Sequence, residues 1–167
     1  YRDQTHFWIE LGLQTTNDEV LKRVNRGHDV ASFVDAVRRV KSLGIRVCAH
    51  IILGLPGDDW DHMMEGARLL TELEVDAVKL HHLHILKRAP MENQWKKGLI
   101  PVLELEEYAK LAVDFLERVP ETMIVQRLSG SSTREKLLAP LWTLEKARVI
   151  QAIEKEFQSR GSRQGKL

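Results

Sequence analysis

The stretch Arg46–Trp60, RVCAHIILGLPGDDW, constrains the fold more than any other part of the chain. A short apolar run ends in Gly54-Leu55-Pro56-Gly57, and two aspartates follow. Such a run, bounded by glycine and proline, reads as a buried strand that turns sharply into a helix. The turn carries no Lys and no Ser or Thr after its glycines, so it is not a Walker phosphate loop.

The flanking segments repeat that plan. Residues 7–15 alternate, with Phe7, Ile9, Leu11 and Leu13 on one face and Trp8, Glu10, Gly12 and Gln14 on the other. Asn17-Asp18-Glu19 reads as a helix start, and that helix stops near Arg26-Gly27. A second start at His28-Asp29 precedes Val30, Phe33, Val34, Val37 and Val40 at helical spacing, closed by Gly44. After the strand Arg46–Leu55, a helix opens at Asp58. A third strand is expected over Asp76–Leu86, then a long loop with a short helix over 87–103 and a helix over Glu104–Arg118. A fourth strand covers Met123–Leu128. Ser129–Thr133 reads as a polar loop, Thr143–Ser159 as a last helix, and the tail GSRQGKL as frayed.

Strands alternating with helices at this spacing predict parallel β/α units, in an open α/β sheet or one arc of a barrel. In both, chemistry gathers at the C-terminal ends of the strands. Those ends are Gln14, Gly54, the His81 region and Arg127. The chain of 167 residues carries a formal net charge of +1, so composition makes no case for a nucleic-acid binder. The single cysteine, Cys48, excludes a disulfide framework within the chain and points to a reducing, cytoplasmic compartment. No apolar run reaches a membrane span, and YRDQTH is not a signal peptide. The chain lacks an initiator Met, which suggests a piece of a longer protein or a trimmed start.

Glu10 and Gln14 share a strand face and need polar partners. A ligand with hydroxyl and amino groups would serve, and so would an internal network with Arg26 or Lys79. Cys48, His50, Ile52 and Gly54 share a face of the next strand, where Gly54 would admit a flat ligand or another backbone. An ordinary βα turn is the plainer reading. In the run His81–His84, Lys79 and His81 face one way and His82 and His84 the other. His82 and His84 could chelate as a pair, but two ligands make a weak metal site. A structural role is favoured for them, and no metal is expected. Cys48 reads as a buried, inert thiol rather than a nucleophile. Lys96-Lys97 and Arg38-Arg39-Lys41 read as solvated faces.

Taken together, IELGLQ…NRGHD…HIILGLPG closely resembles the middle of radical S-adenosylmethionine (SAM) proteins of the Elongator-catalytic-subunit and coproporphyrinogen-oxidase-like group. The later segments VKLHHLHILKRAPM, ELEEYAKLAVDFLERVP, QRLSGSS and LLAPLWTLEK resemble the YhcC-like bacterial family within it. The resemblance implies the C-terminal half of a partial (β/α)6 TIM-type barrel over residues 1–128, followed by a loop-and-helix extension over 129–167. It implies that the segment His50-x-Ile52-x-Gly54-x-Pro56 holds the adenine of SAM, with His50 in place of the family's first glycine. Ile52 would pack on the adenine and backbone near Gly54 would read its edge. Gln14 matches a residue near the ribose and amino-acid part. Arg26 matches an arginine that approaches the SAM carboxylate, a task suited to a planar guanidinium. By its position Glu10 would be a ribose partner, and Lys79, His81 and Arg127 would line the substrate side.

The family's Cys-x-x-x-Cys-x-x-Cys loop, which binds a [4Fe–4S] cluster, is missing from this chain. The resemblance therefore implies SAM and cluster in a full-length parent that cleaves SAM reductively, with neither bound to this fragment and no catalytic residue assignable within it. The strand edge at Phe7–Leu13 would lose a neighbour, which predicts self-association. Two alternatives stand beside this reading. One is a non-catalytic RNA- or protein-binding module on the same scaffold. Kinship with Elongator raises tRNA as a partner, the near-neutral charge does not favour it, and charge reversal at Arg38, Arg39 and Lys41 would test it. The other is a different β/α enzyme with a metal on His82 and His84. No membrane partner is expected.

Overall fold

The computed structural model describes residues 7–167. The reading of YRDQTH as a start without a signal peptide falls on residues 1–6, outside the described residues. Four strands form one parallel sheet in the order β1 (Trp8–Gln14), β2 (Arg46–Leu53), β3 (Ala77–His82) and β5 (Ile124–Arg127). Helices α1 (Asp18–Arg23) and α2 (Val30–Ser42) connect β1 to β2, and α3 (Trp60–Glu72) connects β2 to β3. Between β3 and β5 lie a two-residue strand β4 (Ile85–Leu86), α4 (Pro90–Lys96) and α5 (Leu105–Arg118). After β5 come β6 (Leu137–Ala139), a 3₁₀ turn (Leu141–Leu144) and α6 (Lys146–Arg160). The expected α/β class with parallel strands is therefore present.

Side-chain caps set the helix starts. Asn17 Oδ1 accepts from the Glu19 and Val20 amides at 3.1 and 3.2 Å, and Asp29 Oδ1 accepts from Ser32 N at 2.8 Å. After the GLPG turn the cap is Asp59, whose Oδ1 accepts from His62 N at 2.8 Å, so α3 starts at Trp60 and not at Asp58.

The sheet is two-sided. Val47, Ala49, Ile51 and Leu53 of β2, with Val78 and Leu80 of β3, form one core with Met63, Ala67 and Leu70 of α3 and Tyr108, Ala112 and Phe115 of α5. Helix α6 adds Val149 and Ile153 to that same core. The opposite face carries Glu10, His50, Lys79 and His81, with His50 opposite Gly12 on one side and Lys79 on the other.

Three sequence expectations are corrected. The run Asp76–Leu86 is not one strand: β3 ends at His82, and Ile85–Leu86 pairs antiparallel with Leu137–Ala139. Leu83 and Ile85 turn instead into a second apolar cluster with Val20, Leu55, Ile100 and Ala139. The segment after Ser129 is not a loop leading directly into a helix, because β6 and the 3₁₀ turn precede α6. Trp142 on that turn donates from Nε1 to Leu103 O at 3.0 Å, which fixes the turn against the chain before α5.

The tail is not frayed. Gln164 Nε2 donates to Pro120 O and Met123 O at 2.7 and 2.8 Å, and Gly165 N donates to Leu116 O at 3.1 Å. These bonds cover carbonyls at and just beyond the end of α5, where the helix cannot supply partners. Amide exchange on the native protein is expected to show the Gly165 amide protected well beyond an unstructured peptide. Exchange at the random-coil rate would return the tail to a disordered end.

Candidate functional site

Gln14 ends β1 with φ +72, and the β1–β2 register shifts between Gly12 and Gln14. That irregularity brings the Gln14 carboxamide back over Gly12. Arg26, just past α1, lies over the same glycine, where a side chain would meet Arg26 Nη2 at 2.7 Å. Arg26 Nη2 donates to Gly12 O at 3.2 Å, and His28 Nε2 lies 3.0 Å from the same oxygen. Gln14 and Arg26, expected at one site, are thus together. The buried Arg26 Nε has no hydrogen-bond partner. A depression of about 330 Å³ runs beside them, lined by Glu10, Gly12, Arg26, His28, Ser32 and Phe33 among others. His28 is a member of this group that the sequence reading passed over as a helix start; its place beside Arg26 in NRGHD was the available signal.

Glu10 is committed to an internal network. Lys79 Nζ donates to its Oε1, and His50 Nε2 lies 2.7 Å from its Oε2. Of the two internal partners expected, Lys79 is found, while Arg26 turns to Gly12. The Lys79 hydrogen bond, then that from His50, holds the Glu10 carboxyl below its ordinary range. The His50 and His81 rings stack at 5.4 Å between centroids. Burial pushes His81 down to about 4, so its imidazole is neutral near pH 7. Arg127 pairs in register with Lys79 at the outer strand β5 and is exposed. Cys48 is fully buried and burial pushes its thiol up to about 11, so it is held protonated, as an inert core cysteine should be.

At the end of β2, Gly54 has φ +80, and a Cβ there would lie 2.6 Å from Leu103 Cδ1. The close approach expected to serve a ligand is made by Leu103. The Gly54 amide donates to Met63 Sδ at 3.4 Å. Ile52 is half-buried and packs on the second apolar cluster. Arg23 Nη1 donates to Pro56 O at 3.2 Å, pinning the turn from α1. Asp58, read from sequence only as a helix start, sits beside the buried Thr15; burial pushes its carboxyl up while Thr15 pulls the other way.

His82 and His84 do meet, though by way of the break after β3. Their Nε2 atoms lie 3.0 Å apart, a spacing in which one ring's N–H donates to the other's lone pair. His84 Nε2 is also 3.2 Å from Thr143 Oγ1, and His82 packs on Tyr108 and Trp142. Among the described residues no group of three or more His, Cys, Asp and Glu is placed to hold a metal ion. The His82 ring centroid lies 4.9 Å from that of Tyr108 and 4.2 Å from that of Trp142. Among the described residues, too, no helix is long and apolar enough to cross a membrane.

A parallel sheet with helices packed on its core side and polar residues on the other face defines a β/α protein. Residues 75–159 match the radical SAM C-terminal domain, and residues 1–70 match the radical SAM superfamily. The chain belongs to the radical SAM superfamily. It is 43% identical over 165 residues to the uncharacterized protein YtqA of Bacillus subtilis, covering 99% of this chain and 51% of that protein. It is 41% identical over 143 residues to YhcC of Escherichia coli, covering 85% and 46%. It is 27% identical to a tRNA uridine(34) acetyltransferase of Methanocaldococcus jannaschii, covering 76% and 26%. Its fold matches the archaeal Methanocaldococcus infernus Elp3 with a TM-score of 0.81 at 19% identity, covering 95% of this chain and 37% of that one. The chain spans about half the length of the curated relatives YtqA and YhcC.

Members of this superfamily use SAM and a [4Fe–4S] cluster. The residues at the end of β1 fit SAM, since Arg26 offers a buried, unpartnered Nε and Gln14 a carboxamide at the same place. The cluster does not fit this chain. It needs several thiolates, and the one cysteine is buried with a raised pKa.

Burial pushes His82 down to about 3, whereas an exposed histidine protonates near pH 6.5. Between those values the unfolded chain binds the proton and the folded chain does not. Stability therefore falls as pH drops through that window. In urea titrations, His82→Phe is expected to lose less stability than the parent between about pH 7 and pH 5. An unchanged pH slope would contradict the buried, neutral assignment.

Proposed function

We propose that this chain is the SAM- and substrate-facing half of a cytoplasmic radical SAM enzyme. The observation that carries the reading is the convergence of Gln14 and Arg26 over Gly12, with Arg26 Nε left unpartnered, in a chain of this superfamily. In this reading the four parallel strands are the C-terminal arc of a partial barrel over residues 1–128, and 129–167 is an extension. SAM held here, together with a cluster on the rest of the protein, would supply one-electron radical chemistry. Arg26 grips the SAM carboxylate, and Gln14 hydrogen-bonds its amino-acid and ribose part. Ile52 offers the adenine an apolar surface, and the Gly54–Pro56 turn shapes the rim beside it. Glu10, oriented by Lys79 and His50, faces the ribose. Lys79, His81 and Arg127 face an unidentified substrate. The open side of β1 pairs with the preceding part of the barrel, or with a second copy when that part is missing.

A second reading is favoured by one finding: relatives matched over much of the chain are named tRNA uridine(34) acetyltransferase. RNA is then the macromolecule that brings the substrate, whether the scaffold is catalytic or only binds. The formal net charge of +1 does not argue for this by itself.

The SAM site is tested by equilibrium dialysis of labelled SAM with the cluster-loaded longer protein. Arg26→Ala is expected to weaken binding on the order of 10-fold or more, as loss of a charge-assisted hydrogen bond does. Unchanged affinity would remove Arg26 from the site and the carrying observation with it.

A further inference from the structure

Basic residues are not spread evenly over the surface. Segments 87–97 and 134–136 hold six bases, Lys87, Arg88, Lys96, Lys97, Arg134 and Lys136, against two acids, Glu92 and Glu135. The remaining 19 bases and 22 acids leave the rest of the chain net negative. The fold joins the two segments. Strands β4 and β6 pair, Lys87 N donates to Lys136 O at 2.8 Å, and α4 packs on β4. All six bases are exposed. Only Lys96 is in an ion pair, 2.5 Å from Glu92, and no ion pair within the described residues engages the other five. Glu92 is further occupied by the Arg88 amide.

The place of this patch matters as much as its sign. The hairpin leaves the sheet directly after β3, and a Cβ on Gly130, in the loop before β6, would lie 3.4 Å from His81 Nδ1. The basic surface therefore borders the sheet end where Gln14, Ile52 and His81 gather. The other basic run is mostly engaged, with Arg38 alone exposed and in no ion pair among the described residues. On α2, Arg39 lies 3.6 Å from Asp35, and Lys41 reaches Glu74 O and lies 3.4 Å from Asp76.

We propose that the β4–β6 hairpin and α4 form a docking surface for the phosphate backbone of an RNA, with Lys87, Lys97, Arg134 and Lys136 as its phosphate contacts. The proposal rests on the RNA reading above and moves the contact from α2, where the charge-reversal test would have looked, to the hairpin. Unpaired lysines and arginines on a fixed backbone bind phosphates by releasing counterions, without reading sequence. The bound strand would then pass the rim of the ligand face, so that one nucleotide can reach it.

The test is fluorescence anisotropy of a labelled tRNA against the whole chain at several salt concentrations, with circular dichroism to confirm that each variant is folded. The triple variant Lys87→Gln, Lys97→Gln, Lys136→Gln is expected to bind at least about 10-fold more weakly at low salt. Its slope of log K against log salt is expected to fall by roughly 2–3. Arg38→Gln with Arg39→Gln is expected to stay within about twofold of the parent. Absence of saturable RNA binding, or equal loss in the α2 variant, overturns the proposal. So does binding to phosphatidylserine vesicles, but not RNA, that depends on the same three lysines; the surface would then be a lipid site. None of these outcomes alters SAM binding at Arg26, so failure here is distinct from failure of the SAM assignment.

Discussion

The structure depends on the unequal faces of β2. Parallel strands are usually dry on both sides. Here Val47, Ala49, Ile51 and Leu53 are dry on one side, while His50 on the other joins Glu10 and Lys79. Glu10 on the strand beside it is exposed to solvent and takes its partners from β2 and β3. Lys79, two strands away, reaches across to supply one. The network thus ties β1, β2 and β3 together on the face with no helix layer of its own, and it orients the polar groups that any ligand on that face would meet.

From this follows the position of the site. The core face fixes the register, since a slip of one residue would carry Ile51 and Leu53 to the polar side. The strand ends then fall into place: Gln14 folds back over Gly12, Arg26 and His28 converge on the Gly12 carbonyl, and Arg23 pins the Pro56 turn. Left-handed backbone marks two of these strand ends, at Gln14 and Gly54. That is where β/α proteins place their chemistry.

Much of this was legible in the sequence, because it rests on period and capping. The alternation of residues 7–15 marked β1, the apolar run marked β2, and Asn17 and Asp29 marked two helix starts. What was not legible depends on contacts between distant segments. Alternation through His81–Leu86 is the same whether a strand continues or breaks, and only Leu137–Ala139 decides it. Nothing local in GSRQGKL announces that Gln164 will cover Pro120 and Met123. Gly54 was singled out correctly as a close approach, but the group approaching is Leu103, remote in sequence. Glu10 had two internal partners available by type, and only three-strand geometry selects Lys79. The basic hairpin was invisible in a net charge of +1 because an acidic remainder offsets it.

As proposed, this chain would carry the SAM-facing residues of a radical SAM enzyme and none of the cluster ligands. The most direct measurement is anaerobic reconstitution with iron and sulfide, performed on the chain alone and on the longer protein proposed to contain it. Iron is then counted, and 5′-deoxyadenosine is assayed after SAM and reductant are added. The account expects no stoichiometric iron on the chain alone. It expects about four irons per molecule, as a [4Fe–4S] cluster requires, and the nucleoside from the longer protein. A cluster on the chain alone, or a longer protein that makes neither cluster nor nucleoside, would contradict it.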